Sequence, residues 1–398
     1  MANSVNQEIN VNSKHKKSSD RISQLPDVLI HHILSFLSTK EAMATSILSK
    51  RWLWVWTSVP ILDLQDTPFC RTDPNLRFRQ FVDHVLILNK TVSLDKFCLK
   101  FNLVDHPSYV KTWFWDAVSR DVKELDISIH GTESFPFLKL PFALFTAKTL
   151  HVLKLSHGVE LHVPGTVSLP CLKELVLHKQ AGDNTTFSTI SIPTLKTLFV
   201  RFATTGRCRH KLKINAPVLK QLNLEDNLTL EFDLEDVSSL VEANVTVSWL
   251  ENRHIPLLKA LSNAKPYRLF LNLVQMELHV GYGGWDLLSL FLEFSDHLEV
   301  LVLAKNDNCR GLGFECSWKP PKYVPECLLS SLSMVYFKGF EDLTYQLSMV
   351  KYILKNARVL KMMDIRSNGD LPLDSKIDLL KKLLMFPRGS KACQLKFN

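Results

Sequence analysis

The side chains best suited to chemistry in this chain are histidines, cysteines and one basic cluster, and their spacing argues against a reaction centre. His151, His157 and His162 lie close together. A zinc site would need further ligands beside them. The eight cysteines, Cys70, Cys98, Cys171, Cys208, Cys309, Cys316, Cys327 and Cys393, are scattered and form no C-x-x-C pair. Cys309 and Cys316 read as buried or surface thiols. There is no H-E-x-x-H, G-x-S-x-G, G-x-x-x-x-G-K-[ST] or G-x-G-x-x-G. Gly281-Tyr282-Gly283-Gly284 is glycine-dense, but in a chain with 13 glycines it reads as a turn and not as a phosphate cradle. Arg207, Arg209, His210, Lys211 and Lys213 form the densest basic cluster. It reads as a solvated loop or as a grip on an acidic target segment; the interleaved aromatics of a nucleic-acid surface are missing. The expectation is a protein with no catalytic residue, no metal and no cofactor, whose chemistry is recognition.

The elements that would position such a surface are written in leucine. The chain has 66 leucines among 398 residues, about one in six. It is 46% hydrophobic and 22% charged, the composition of a globular chain. Its net charge of +8 is mild for the length and tolerates an acidic partner without demanding nucleic acid. No apolar run reaches the roughly eighteen residues of a membrane-spanning helix. Residues 1–19 read as a disordered polar tail, neither signal peptide nor anchor. Within it Lys14-His15-Lys16-Lys17 is a solvated run or a nuclear address. Unpaired cysteines without a secretory signal point to a reducing compartment, cytoplasm or nucleus.

Residues 20–60 predict a helical hairpin. Pro26 stands where a helix begins, and its missing N–H costs nothing there. Leu25, Leu29, Ile33 and Leu37 recur every fourth residue as an apolar stripe. Ser38-Thr39-Lys40-Glu41 has capping-box spacing, so a second helix starts at Ser38. So short a segment cannot bury its apolar side chains alone. They must pack on the rest of the chain, on a partner, or on both. The ordered string Leu25-Pro26, Ile33-Leu34, Leu48-Ser49-Lys50-Arg51-Trp52 resembles an F-box, the module by which substrate receptors dock on the Skp-type adaptor of a cullin-RING ubiquitin ligase. That resemblance implies adaptor contacts at Leu25, Pro26, Leu29, Ile33, Leu34, Leu37, Leu48 and Trp52, with Trp52 alternatively seating the module on the first repeat.

Residues 61–317 repeat. With Φ for an apolar residue, Φ-x-x-Φ-x-Φ recurs with middle residues Phe97, Leu125, Leu153, Leu175, Leu198, Leu222, Ala243, Tyr267, Leu301, Val335 and Met363. The Φ-x-Φ end has period two and is a short strand with one buried face. Intervals in the low twenties are those of leucine-rich repeats, whose units stack strands in parallel. Pro170, Pro193 and Pro217 end one turn and aim the chain into the next strand. Leu257-Leu258-Leu261 and Leu287-Leu288-Phe291-Leu292 have helical spacing where the repeats lengthen. The x positions facing outward from the strands, Lys154, Val176, Phe199, Asn223, Asn244 and Arg268, are the expected target-binding row.

From Trp318 to Arg366, Val324-Pro325-Glu326-Cys327-Leu328, Ser331-Leu332 and Phe337-Lys338-Gly339-Phe340-Glu341 look like the FBD region that ends many plant F-box proteins; Ser333 and Phe340 depart slightly from its usual residues. Leu347, Val350, Ile353, Leu354 and Ala357 share one helical face there. In residues 367–398, Ile377-Leu380-Leu383-Leu384 predicts a last amphipathic helix, then a tail. The expected fold is α/β: a helical F-box, an irregular leucine-rich-repeat solenoid of parallel strands, and an FBD cap. The resemblance implies the non-catalytic receptor subunit of an SCF-type ubiquitin ligase, with cullin and RING subunits reached through the adaptor. The alternative is a leucine-rich-repeat scaffold that does not promote degradation.

Overall fold

The computed structural model describes residues 22, 24–66, 74–103, 108–131, 138–156, 159–160, 169–180, 187–203, 210–226, 230–249, 270–282, 285–305, 318–341, 343–367 and 373–398. Two short helices come first, α1 (Asp27–Leu34) and α2 (Thr39–Ala44). Tight 3-10 turns come next at Thr45–Ile47 and Trp52–Ser58. Strands then alternate with return segments. In chain order they are β1 (Ile61–Gln65), β2 (Lys96–Leu103), β3 (Glu124–Gly131), β4 (Leu138–Lys139), β5 (Val152–Ser156) and β6 (Val159–Glu160). Next come β7 (Glu174–Gln180), β8 (Phe187–Ser191), β9 (Thr197–Ala203), β10 (His210–Asn215), β11 (Gln221–Asp226) and β12 (Leu230–Asp236). The series closes with β13 (Glu242–Trp249), β14 (Gln275–Tyr282), β15 (Val300–Lys305), β16 (Met334–Phe340), β17 (Met362–Ser367) and β18 (Gln394–Phe397).

Among the described residues, thirteen strands make one open sheet in the order β1-β2-β3-β5-β7-β9-β11-β13-β14-β15-β16-β17-β18, every neighbour parallel. The Φ positions set its register: Phe97 stands opposite Leu125, then Leu153, Leu175, Leu198, Leu222 and Ala243 in turn. All seven are buried. A one-residue slip would turn each of them to water, so burial locks the register.

Most units begin the same way. The carbonyl of the residue before one strand accepts two consecutive N–H groups from the next unit: Lys173 from Lys196 and Thr197, Lys196 from Lys220 and Gln221, Lys220 from Val241 and Glu242. Just upstream, a four-residue turn closes with an N–H to C=O bond, Leu172 to Leu169, Leu195 to Ile192 and Leu219 to Ala216. Pro170, Pro193 and Pro217 hold the second position of these turns, where a fixed φ near about −65° is already correct. The proline therefore presets the corner between return segment and strand.

The structure corrects one repeat. The ladder after Ala243 continues at Met276, not at Tyr267, and Leu273-x-x-Met276-x-Leu278 is the unit in register. The carbonyl of Val241 accepts the N–H groups of Val274 and Gln275, the same double bond that starts the other units. Tyr267 and its motif lie outside the described residues. Two further units were not foreseen. Val59, Leu62 and Leu64 open the sheet as β1, and Leu395 and Phe397 in β18 close it opposite Met363 and Ile365. The chain after the last helix thus contributes a strand and is not merely a tail.

The interval between strands limits what returns. The β1–β2 and β2–β3 returns carry helices α3 (Pro74–Leu88) and α4 (Ser108–Ser119), which pack on each other, whereas the equally long β3–β5 return carries a 3-10 turn at Phe142–Thr146. Their Phe78 and Trp113 close with Phe101 into an aromatic core, ring centroids 5.7 to 6.4 Å apart, and Trp113 donates its indole N–H to Asp83 at 2.8 Å. The short central returns have room only for a second, three-stranded parallel sheet, β12-β10-β8. The long late returns are helical again: α5 (Asp286–Glu293), α6 (Glu326–Ser330) and α7 (Thr344–Asn356). Leu287, Leu288, Phe291 and Leu292 are buried on α5, as their spacing predicts. The helix expected at Leu257–Leu261 lies outside the described residues. Val350, Ile353, Leu354 and Ala357 are buried as expected of the FBD helix, and its flanking strands β16 and β17 continue the main sheet. In α8 (Leu373–Leu384) the buried face is Leu379 and Leu383, whereas Ile377, Leu380 and Leu384 face out.

Candidate functional site

The N-terminal helices carry apolar side chains on two faces. Pro26 is the N-cap of α1, and its carbonyl accepts the N–H groups of Leu29 and Ile30. On α1, Ile30 and Leu34 are buried in the chain's own core, while one residue back on each turn Leu29 is 48% and Ile33 44% exposed. A step of one residue rotates about 100° around a helix, so the two i, i+4 rows face different ways. A helix apolar on both sides is one that meets its own domain on one and something else on the other. Val28 and Phe36 extend the outer row. Ile47, Leu48, Leu53 and Trp54, from the adjoining 3-10 segments, are exposed as well, with Ile47 at 88%. Scattered single exposures are ordinary; this density within so short a stretch is not.

Polar contacts hold this surface in shape. The capping box of α2 is complete: Ser38 Oγ accepts the Glu41 N–H at 3.3 Å, and the Glu41 carboxylate accepts the Ser38 N–H at 3.0 Å. The Ser38 hydroxyl, which donates to the same carboxylate at 2.7 Å, and then the Ser38 N–H hold the Glu41 carboxyl below the usual glutamate value. Arg51 reaches back across the hairpin, donating to the Leu25 carbonyl at 2.5 Å and to Asp27 at 2.6 Å. Its hydrogen bond keeps the Asp27 carboxyl below its ordinary value. Thr39 Oγ1 accepts the Asp63 N–H at 2.8 Å and so ties α2 to β1. Asn89 donates to the Val59 carbonyl at 3.1 Å and accepts from Arg120 at 3.0 Å. The hairpin is therefore fastened to the first repeat.

Of the eight side chains expected at the adaptor, Leu29, Ile33, Leu48 and Pro26 are exposed, and Leu25 and Leu37 are half-buried against the core. Leu34 and Trp52 are corrected: at 1% and 3% exposure they belong to the interior and support the surface from behind. Trp52 thus takes the seating role that spacing left open. Val28, Phe36, Ile47, Leu53 and Trp54 stand on the same surface and were not named from the sequence. Their signal was an excess of apolar residues beyond what one stripe needs.

The second candidate surface is the sheet face turned away from the buried Leu rows. Five of the six expected target-binding positions form one continuous row by register: Lys154, Val176, Phe199, Asn223 and Asn244. Arg268 lies outside the described residues, and Glu277 fills its place opposite Asn244. Charges on this face pair with one another. Lys96 meets Glu124 at 2.8 Å, Lys100 meets Asp126 at 3.0 Å, and Lys154 lies 3.8 Å from Glu124 and 3.5 Å from Glu174. Farther along, Lys338 reaches over β15 to Glu277 at 2.8 Å, and Arg366 meets Asp364 at 3.0 Å. Val302 and Ala304 are buried beneath that bridge although they point away from the core. Glu277, despite a burial penalty, stays below its ordinary value because Lys338 and His279 donate to it.

No reaction centre is assembled among the described residues. His151 bonds the Thr149 carbonyl at 2.6 Å; His157, His162, Arg207, Arg209, Cys309 and Cys316 lie outside the described residues. The cysteines described are unpaired thiols. Burial lifts Cys98 far above the usual thiol range and Cys327 up to about 12.

Family models match three stretches of the chain. Residues 22–63 match the F-box domain model, residues 110–261 the model described as "FBD-associated F-box protein At5g56370, LRR repeats", and residues 319–365 the FBD model. The chain is 32% identical to F-box/FBD/LRR-repeat protein At5g56420 of Arabidopsis thaliana over 95% of its own length and 99% of that protein's. It is 30% identical to F-box/FBD/LRR-repeat protein At4g26340 and to FBD-associated F-box protein At4g10400, both of Arabidopsis thaliana, over 95% of this chain and the whole of each.

Proposed function

The chain belongs to the F-box/FBD/LRR-repeat family, and from that premise we propose that it is the substrate-recognition subunit of an SCF-type cullin-RING ubiquitin ligase. The F-box binds a Skp-type adaptor, cullin and RING subunits join through it, and the sheet face holds a target protein. The observation that carries this reading is the double-faced α1, whose Ile30 and Leu34 are spent on the interior while Leu29 and Ile33 are left outside. The protein itself catalyses nothing in this reading. Its contribution is proximity, since holding target and ubiquitin-loaded enzyme on one assembly makes the transfer effectively intramolecular. Cytoplasm or nucleus is the compartment it would work in.

The test is retention of the full chain on immobilised Skp-type adaptor. Wild type should be retained, and the Leu25→Ala, Leu29→Ala, Ile33→Ala triple variant should not, with both folded by circular dichroism. Equal retention of the two would remove the F-box surface from the account. Accumulation of a bound partner under proteasome inhibition separates a degradative receptor from an inert scaffold.

A further inference from the structure

On the outward face of the sheet, the middle strands differ from both ends. Toward β1 the face carries the paired lysines and carboxylates already described, and toward β17 the bridges to Glu277 and Asp364. Between them, Val176, Phe199, Asn223 and Asn244 stand side by side on β7, β9, β11 and β13. All four are half-buried. The His178 ring lies 5.1 Å from that of Phe199, and burial together with Arg201 pushes His178 below the ordinary histidine value, toward the neutral form. Arg201 is itself paired with Glu225 at 3.2 Å. Beside the strip, Glu242 is held only by the neutral Gln221 amide, at 2.9 Å, and among the described residues has no cation partner.

Asparagine is a poor strand former, and interior strands normally fill such positions with branched or aromatic side chains. Here two asparagines are adjacent on central strands, and among the described residues neither side chain has a hydrogen-bond partner within the chain. Gln221, two residues before Asn223, shows the contrast: its amide donates to Glu242 at 2.9 Å and its carbonyl accepts from Thr197 at 3.3 Å. A local rule broken without an internal return marks a place kept for something outside. Each asparagine offers an N–H donor and a carbonyl acceptor, the complement of a peptide unit. Adjacent parallel strands set the two about 4.8 Å apart. Val176 and Phe199 supply the apolar contact beside them.

Resting on the receptor reading above, we propose that Asn223 and Asn244 bind the backbone of an extended target segment without acidic side chains, whose aromatic or branched aliphatic side chain seats against Val176 and Phe199. Charge complementarity selects this occupant: Lys154 and Arg201 are engaged by Glu174 and Glu225, so an acidic segment finds no free cation beside the strip among the described residues, while Glu242 stands there without one.

The full-length chain is tested against an array of short synthetic peptides spanning strongly acidic to strongly basic composition. Wild type should retain uncharged peptides with an aromatic or branched aliphatic anchor. The Asn223→Ala, Asn244→Ala double variant should weaken that retention roughly tenfold, as loss of two modest hydrogen bonds requires. Phe199→Ala should do the same and Phe199→Tyr, which keeps the ring, should not, which separates a lost contact from a lost fold. Unchanged retention by the double variant, a preference for acidic peptides, or no retained peptide at all would overturn the proposal. Adaptor retention by the same preparations reports separately on the receptor reading.

Discussion

The side chains of α1 divide between two jobs one residue apart, and their substitutions should divide the same way. Leu34→Ala and Trp52→Ala each empty a position in the core, so each should cost about 2–5 kcal/mol of stability. Leu29→Ala and Ile33→Ala remove side chains that are already half in water. They should leave the melting temperature almost unmoved while adaptor affinity falls by about 1–3 kcal/mol each. Parallel thermal melts and adaptor titrations would read both; a large melting shift for Leu29→Ala would undo the division. Asp27 offers a finer probe. Its carboxyl is held low by Arg51, so the contact stabilises the folded hairpin above the ordinary aspartate value and fades as pH falls through the lowered one. An NMR titration should place Asp27 below a free aspartate, and Arg51→Ala should return it upward. At Cys98 and Cys327 burial suppresses the thiolate, so iodoacetamide at mildly alkaline pH should modify both only after unfolding, as mapped by peptide mass spectrometry.

At the scale of elements, the last turn of α7 is capped from outside. Its Leu354 carbonyl, one of the orphans that every helix end leaves, accepts the Gly389 N–H at 2.7 Å, and Arg358 N–H bonds the Leu328 carbonyl at 2.8 Å. The chain after α8 passes so close there that a Cβ on residue 389 would stand 2.7 Å from the Lys355 carbonyl oxygen and 3.0 Å from that of Ala357. Both are backbone and cannot swing aside. Gly389→Ala should therefore destabilise by about 1–3 kcal/mol, read as a lowered denaturation midpoint with unchanged slope. A neutral result would mean that the crossing relaxes, and that α7 is capped less tightly than its hydrogen bonds indicate. The same logic explains the return segments. A strand-to-strand interval in the low twenties has no length left for a helix after the turn and strand are made, whereas intervals near thirty leave room for one, which the β3–β5 return fills with a 3-10 turn.

Among the described residues, each strand of the main sheet pairs only with the strands before and after it, so the sheet grows along one direction. Stability should accumulate that way too. Deleting residues 373–398 removes α8 and β18, uncovers Met363 and Ile365 in β17, and withdraws the Gly389 bond from α7. Hydrogen exchange should then accelerate in β16, β17 and α7 while β2, β3 and β5 keep their protection. Uniform acceleration through the sheet would show a single cooperative block instead. The thirteenth strand also leaves the sheet with a short polar end, Gln394, Lys396 and Asn398 pointing outward, a composition that discourages pairing with another chain.

Much of this was readable in advance because period two is a local property. Leu125 and Ile127 announce a buried strand face without reference to anything distant, and stacking equal units puts Leu125 beside Leu153. The exposed stripe of α1 was readable in part: Leu29 and Ile33 are where the fourfold spacing puts them, but the F-box resemblance also admitted Leu34 and Trp52. Which of two adjacent apolar rows turns inward depends on where β1 and the Trp52–Ser58 turn lie, and no local pattern contains that. The unit at Leu273, Met276 and Leu278 was hidden for a related reason. In a chain with so many leucines the motif matches at Ala264, Tyr267 and Leu269 as well, and only the hydrogen bonds from Val241 select between them. The amino-acid order by itself thus determined the repeat, its strands and its class of helical entry module. Tertiary structure alone decided which copies pair and which leucines stay outside, because those are settled by competition among distant segments for the same buried surface.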